Sequence, residues 1–94
     1  MALYQISYDV AKQDASEYEA LWAFLLKLGA LRILYSHWIV GGGDGQSDIL
    51  YNQLRPLVRA SDRLLVQEVT KEANWDQLLI PDDLFRQLLR TRAR

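Results

Sequence analysis

The sequence predicts an α+β fold, a four-stranded antiparallel sheet with two helices on one face and a further helix at the C-terminus. Three observations predict it. Stretches of period-two and of helical apolar spacing alternate along the chain. Their order is strand, helix, strand, strand, helix, strand, then a last helix. Finally, 94 residues, 50 % hydrophobic and 24 % charged, suit one domain spanning 1–94 with a small core.

The first strand is Ala2-Leu3-Tyr4-Gln5-Ile6-Ser7-Tyr8, which places Leu3, Gln5 and Ser7 on one face and Tyr4, Ile6 and Tyr8 on the other. Asp9 follows at its carboxyl end. Lys12-Gln13-Asp14 reads as a polar loop, and Ser16 with Glu19 forms a capping-box pattern. Tyr18, Leu21, Trp22, Leu25 and Leu28 then recur at helical spacing, so a helix over about 17–28 is expected, stopped by Gly29. Two strands, about 31–35 and 38–40, follow with Ser36-His37 between them. Gly41-Gly42-Gly43-Asp44-Gly45 is expected as a loop, because glycine stabilises neither helix nor strand.

Ser47 is placed to cap a second helix carrying Ile49, Leu50 and Leu54, which Pro56 should end or kink near Arg55. Arg63-Leu64-Leu65-Val66-Gln67-Glu68-Val69 reads as the fourth strand. Pro81 followed by Asp82 and Asp83 suits the first turn of the last helix, where carboxylates meet the positive end of the dipole. This β-α-β-β-α-β order is the ferredoxin-like arrangement. Its second sheet face needs a cover. Three Trp, five Tyr and two Phe favour an aromatic patch there, and a homodimer is the expected way to bury it. The apolar residues of 75–90 are expected to dock on the body or on a partner protomer.

Composition excludes several classes. There are no cysteines, hence no disulfide framework, thiolate zinc site or cysteine nucleophile. Eleven basic residues against 12 acidic ones do not make a generally basic nucleic-acid binder. No apolar run approaches the ~18 residues of a membrane span, and the N-terminus lacks the order of a signal peptide. A cytoplasmic protein with no membrane partner is the expectation.

The chemistry-bearing candidates are few. Asp9 can bind a cation or simply accept loop N–H bonds. His37, the single histidine, can act as a base, but no partner stands near it in sequence, and Ser36 beside it is equally ambiguous. The glycine run lacks the Gly-Lys-Ser/Thr of a phosphate loop. Arg55, Arg59 and Arg63 recur every four residues and are candidate nucleic-acid contacts, although such a series also suits a solvated face. Arg86, Arg90, Arg92 and Arg94 cluster at the end. Trp22 and Trp38 are expected in the core, with Trp75 docking the C-terminal segment.

A resemblance takes the reading further. Leu3 to Val10, with its Tyr8-Asp9 ending, resembles the first strand of the small CRISPR-associated adaptation protein family. Gly29-Ala30-Leu31-Arg32 and Tyr35-Ser36-His37-Trp38-Ile39-Val40 are similar to its second and third strands. The match is closest to the SinR-like branch, through Ser7-Tyr8-Asp9, Trp38-Ile39-Val40, Leu54-Arg55-Pro56 and Asp62-Arg63-Leu64-Leu65-Val66. The resemblance implies a ferredoxin-like homodimer in which two copies of Asp9 hold Mg²⁺ or Mn²⁺ for cleavage of RNA or DNA, making Asp9 the catalytic and metal-binding residue. The alternatives are a non-catalytic dimerisation or interaction module and a small-molecule-binding regulator that uses the sheet face as a pocket wall.

Overall fold

The computed structural model describes residues 2–9, 15–70 and 73–91, with the side chains of 15–17 and 91 excepted. The elements are β1 (Ala2–Asp9), α1 (Ala15–Lys27), β2 (Leu31–Leu34), β3 (His37–Gly42), α2 (Ser47–Leu54), a 3₁₀ turn (Arg55–Leu57), β4 (Arg63–Glu68) and α3 (Asp82–Thr91). The four strands form one antiparallel sheet in the order β2-β3-β1-β4, the ferredoxin-like order. The polar loop expected at 12–14 and the Ser16 cap lie outside the described residues and side chains.

The inner sheet face follows from the alternation of β1. Ala2, Tyr4, Ile6 and Tyr8 point to the helices and pack with Tyr18, Leu21 and Leu25 of α1, Trp38 and Val40 of β3, and Leu54 of α2. Leu64 and Val66 of β4 extend this core. Tyr8 Oη accepts hydrogen bonds from Trp22 Nε1 and Trp38 Nε1, each at 3.0 Å, so buried Trp38 and half-buried Trp22 pack on Tyr8 without leaving an indole N–H unpaired. Gly29, at φ +79°, ends α1 in a Schellman turn: its N–H donates to Leu26 O and that of Ala30 to Leu25 O.

Two local expectations need correction. Gly41 and Gly42 belong to β3, not to a loop, because they pair with Leu3 and Ala2 of β1. A Cβ on Gly42 would stand 3.4 Å from the Tyr4 ring, so the missing side chain makes room for a buried tyrosine. Tyr4 Oη donates to Gly43 O and accepts from the Gln46 N–H, which anchors the remaining turn. Ser47 does not cap α2; Gln46 holds that position and makes no side-chain cap bond. Pro56 acts as expected, since the α-helix gives way to the 3₁₀ turn at Arg55.

The outer face carries the larger correction. Its apolar half, over Leu3, Ile33 and Ile39, is not left bare for a partner. Beyond β4 the chain crosses it, and Trp75, Leu78, Ile80, Phe85, Leu88 and Leu89 pack with Leu3, Ile33 and Ile39. Leu79 N–H donates to Ile33 O on the β2 edge at 2.9 Å. Trp75 meets Phe85 edge to face, with centroids 4.7 Å apart, and its Nε1 donates to Asp82 Oδ1. The C-terminal segment therefore docks on the body of its own chain.

Candidate functional site

The docked segment divides the outer face. The half formed by the N-terminal part of β1 with β2 and β3 is dry. The half formed by the later residues of β1 with β3 and β4 carries polar side chains, and register decides how they meet. Gln5, Ser7 and Asp9 project from β1 to this side at intervals of two residues. Gln5 faces Gln67 of β4, and Gln5 Nε2 donates to Gln67 Oε1 at 2.9 Å. Ser7 faces His37 of β3, with Ser7 Oγ 3.0 Å from His37 Nδ1. Asp9 faces Arg63 of β4, with Arg63 Nη1 3.3 Å from Asp9 Oδ2.

An open depression of about 300 Å³ lies where the end of β1 meets the start of β4, lined by Ser7, Tyr8, Asp9, Arg63, Leu64 and Leu65. Its charged walls face solvent: the side chains of Arg63 and Asp9 are 85 % and 75 % exposed. Leu65, opposite Ser7 on β4, is half exposed and gives the depression an apolar wall. His37 is partly buried, and loss of hydration lowers its pKa from the ordinary value, so its ring is neutral at neutral pH.

The other arginines have different surroundings. Arg55 donates to the carbonyls of Arg59, Ala60 and Asp62, which closes the loop between the 3₁₀ turn and β4. Asp62 is buried beneath that loop, where it accepts from the Tyr18 hydroxyl and the Arg59 N–H. The four-residue spacing of Arg55, Arg59 and Arg63 is thus not one helical face: Arg59 sits in the loop and Arg63 opens a strand. Among the three, Arg63 is brought to the depression. Ser36 contributes its carbonyl to the Tyr8 N–H. The residue that sequence reasoning missed is Ser7, because its partner lies on another strand and only the pairing of β1 with β3 reveals it.

Asp9 has the chemistry for a hard cation. Among the described residues no group of three His, Asp or Glu gathers. Mg²⁺ is held by one or two carboxylates, with water and substrate phosphate oxygens completing the octahedron. Asp9 fits as one such ligand. No family model matches the chain. No helix among the described residues is long and apolar enough to cross a membrane.

Proposed function

We propose that the polar half of the outer face acts on phosphodiesters, as a homodimeric endonuclease of RNA or DNA related to the CRISPR adaptation proteins and dependent on Mg²⁺ or Mn²⁺. The observation that carries this reading is the exposed Asp9–Arg63 pair, 3.3 Å apart, on the rim of an open depression. Arg63 offers a planar guanidinium to a phosphate, and it leaves Asp9 as the anion arrives. The freed Asp9 carboxylate, together with that of the second copy, then supplies the hard oxygen donors for the cation. A divalent cation held there would supply Lewis-acid polarisation of the phosphate and lower the pKa of a water. The open shape of the depression leaves room for a polymer to lie across it.

Purified protein incubated with labelled RNA and DNA, each with Mg²⁺ or Mn²⁺, tests this. Cleavage should need the cation and fall to background in Asp9→Asn, which keeps the shape and removes the charge. The protein should sediment as a dimer in both forms. Intact substrates under both cations, or an Asp9→Asn protein that cuts as fast as the parent, refute it.

A second reading has its own support. Asp9 is already paired with Arg63, Ser7 with His37 and Gln5 with Gln67, and Arg55 is engaged by three loop carbonyls. A surface whose polar groups satisfy one another suits a non-catalytic interaction module. A dimer with no cleavage would select it.

A further inference from the structure

The Ser7–His37 pair is the constellation on the outer face that the phosphodiester reading does not use. The two residues are direct cross-strand neighbours, so the pleat of the sheet fixes their approach, and Ser7 Oγ lies 3.0 Å from His37 Nδ1. Ser7 also lines the depression of about 300 Å³ that Arg63 and Leu65 share. A hydroxyl and a ring nitrogen within hydrogen-bond reach, with a cation nearby, are the nucleophile, base and charge-stabilising parts of a nucleophilic site.

We propose that Ser7 is a nucleophile and His37 its general base, and that the pair transfers acyl groups from small carboxylic esters. In the Nε2–H tautomer Nδ1 is a free base facing the hydroxyl, and the partial burial that lowers the pKa of His37 keeps the ring neutral. Ser7 Oγ bonds to the acyl carbon as its proton passes to Nδ1. The carbonyl oxygen takes the negative charge. Arg63 lies diagonally across β4 from Ser7, and a side chain of that length reaches such a position. As the intermediate collapses, the ester C–O bond breaks and the leaving oxygen takes the proton from Nδ1, releasing an alcohol and leaving acyl-Ser7. Water then follows the same route: its proton goes to Nδ1, its oxygen bonds to the acyl carbon, and Ser7 leaves with the proton as a carboxylic acid departs. Leu65, opposite Ser7, favours an ester with an apolar side over a fully charged one.

The inference goes beyond the phosphodiester reading and needs no cation, so its test is run in EDTA. The full chain is mixed with p-nitrophenyl acetate, release of nitrophenolate is followed, and the acetyl group is located by peptide mass mapping. The expected result is a burst of about one equivalent with the acetyl on Ser7. Ser7→Ala should abolish the burst, and His37→Ala should slow it about 100-fold or more, with partial recovery on adding imidazole. Recovery by imidazole separates a base from a residue that merely holds the sheet together. Acetylation of other groups with Ser7 unmodified overturns the proposal. So does a burst that survives Ser7→Ala, or a His37→Ala protein that is acetylated as fast as the parent. The map of the parent protein decides the question even where a variant fails to fold.

Discussion

Phe85→Ala probes the layer that covers the dry half of the sheet. Phe85 is 5 % exposed and packs in the cluster of Leu3, Ile33 and Ile39, with Trp75 against its edge. Truncating a buried phenylalanine costs about 3–5 kcal/mol where neighbours cannot collapse into the space. About 0.5–1.5 kcal/mol of this is the edge-to-face contact with Trp75. The loss falls on one side of the molecule, because the helix-side core shares no buried residue with this cluster. A domain of this size is stable by about 5–15 kcal/mol in total. The segment from Ala73 onward should therefore peel from the sheet before the helix-side core melts. Urea titration followed by tryptophan fluorescence should show an early phase from Trp75 ahead of the main transition. Hydrogen exchange should show the Leu79 amide, bonded to Ile33 O in the parent, losing protection first. Leu3, Ile33 and Ile39, once bare, should make the variant self-associate in sedimentation. A variant that loses less than about 1 kcal/mol and protects Leu79 as the parent does would refute the idea that this cluster holds the segment.

Three further outcomes are expected. Tyr8→Phe removes the shared acceptor of Trp22 and Trp38, whose indole nitrogens lie 3.0 Å from it, and should cost about 2–4 kcal/mol in urea denaturation, at about 1–3 kcal/mol for the buried Trp38 donor and about 1 kcal/mol for the half-buried Trp22 donor. His37 has a folded pKa below the ordinary 6.5, so the unfolded chain binds more protons between those two values. The contribution is full above about pH 6.5 and is lost as pH falls through that window, and His37→Gln should remove this component from a series of melts at different pH. Leu65→Asp places a charge on the apolar wall beside Ser7; a dimer formed through this half of the face should dissociate in sedimentation, whereas one formed through the exposed Leu26 or Ile49 should persist.

The parts legible in the sequence are those set by neighbours along the chain. The alternation of Leu3 to Tyr8 assigns both faces of β1 correctly, and Gly29 ends α1 because it alone there takes a positive φ without strain. The apolar residues of 75–90 announce that the segment must dock, and Trp75 does dock it. What local pattern cannot carry is register. Gly41 and Gly42 read as a loop by propensity, yet pairing with β1 and the bulk of Tyr4 make them strand. His37 looks partnerless because Ser7 is 30 residues away, and Asp9 looks free because Arg63 is 54 residues away. Each pairing is a consequence of strand order, which no short window contains.

The division of the outer face also changes what assembly and chemistry demand. An apolar sheet face is driven to pair by the area it removes from water, but residues of the same chain already take Leu3, Ile33 and Ile39 out of water. A second copy that docked on the polar half would gain Leu65 and would bring two Asp9–Arg63 pairs toward one another. Two bare carboxylates would repel there, so Arg63 is what lets the copies approach without a cation. Arg63 also competes with that cation for Asp9. Phosphodiester and ester chemistry therefore make the same demand on one residue: Arg63 must swing from Asp9 to an incoming oxyanion. The demand is small, because an ion pair this exposed holds by about 0–1 kcal/mol and a phosphate or a tetrahedral oxyanion offers the guanidinium a better partner. In both proposals the Asp9–Arg63 bridge is the resting state of the depression, and the kind of anion that breaks it would tell the two apart.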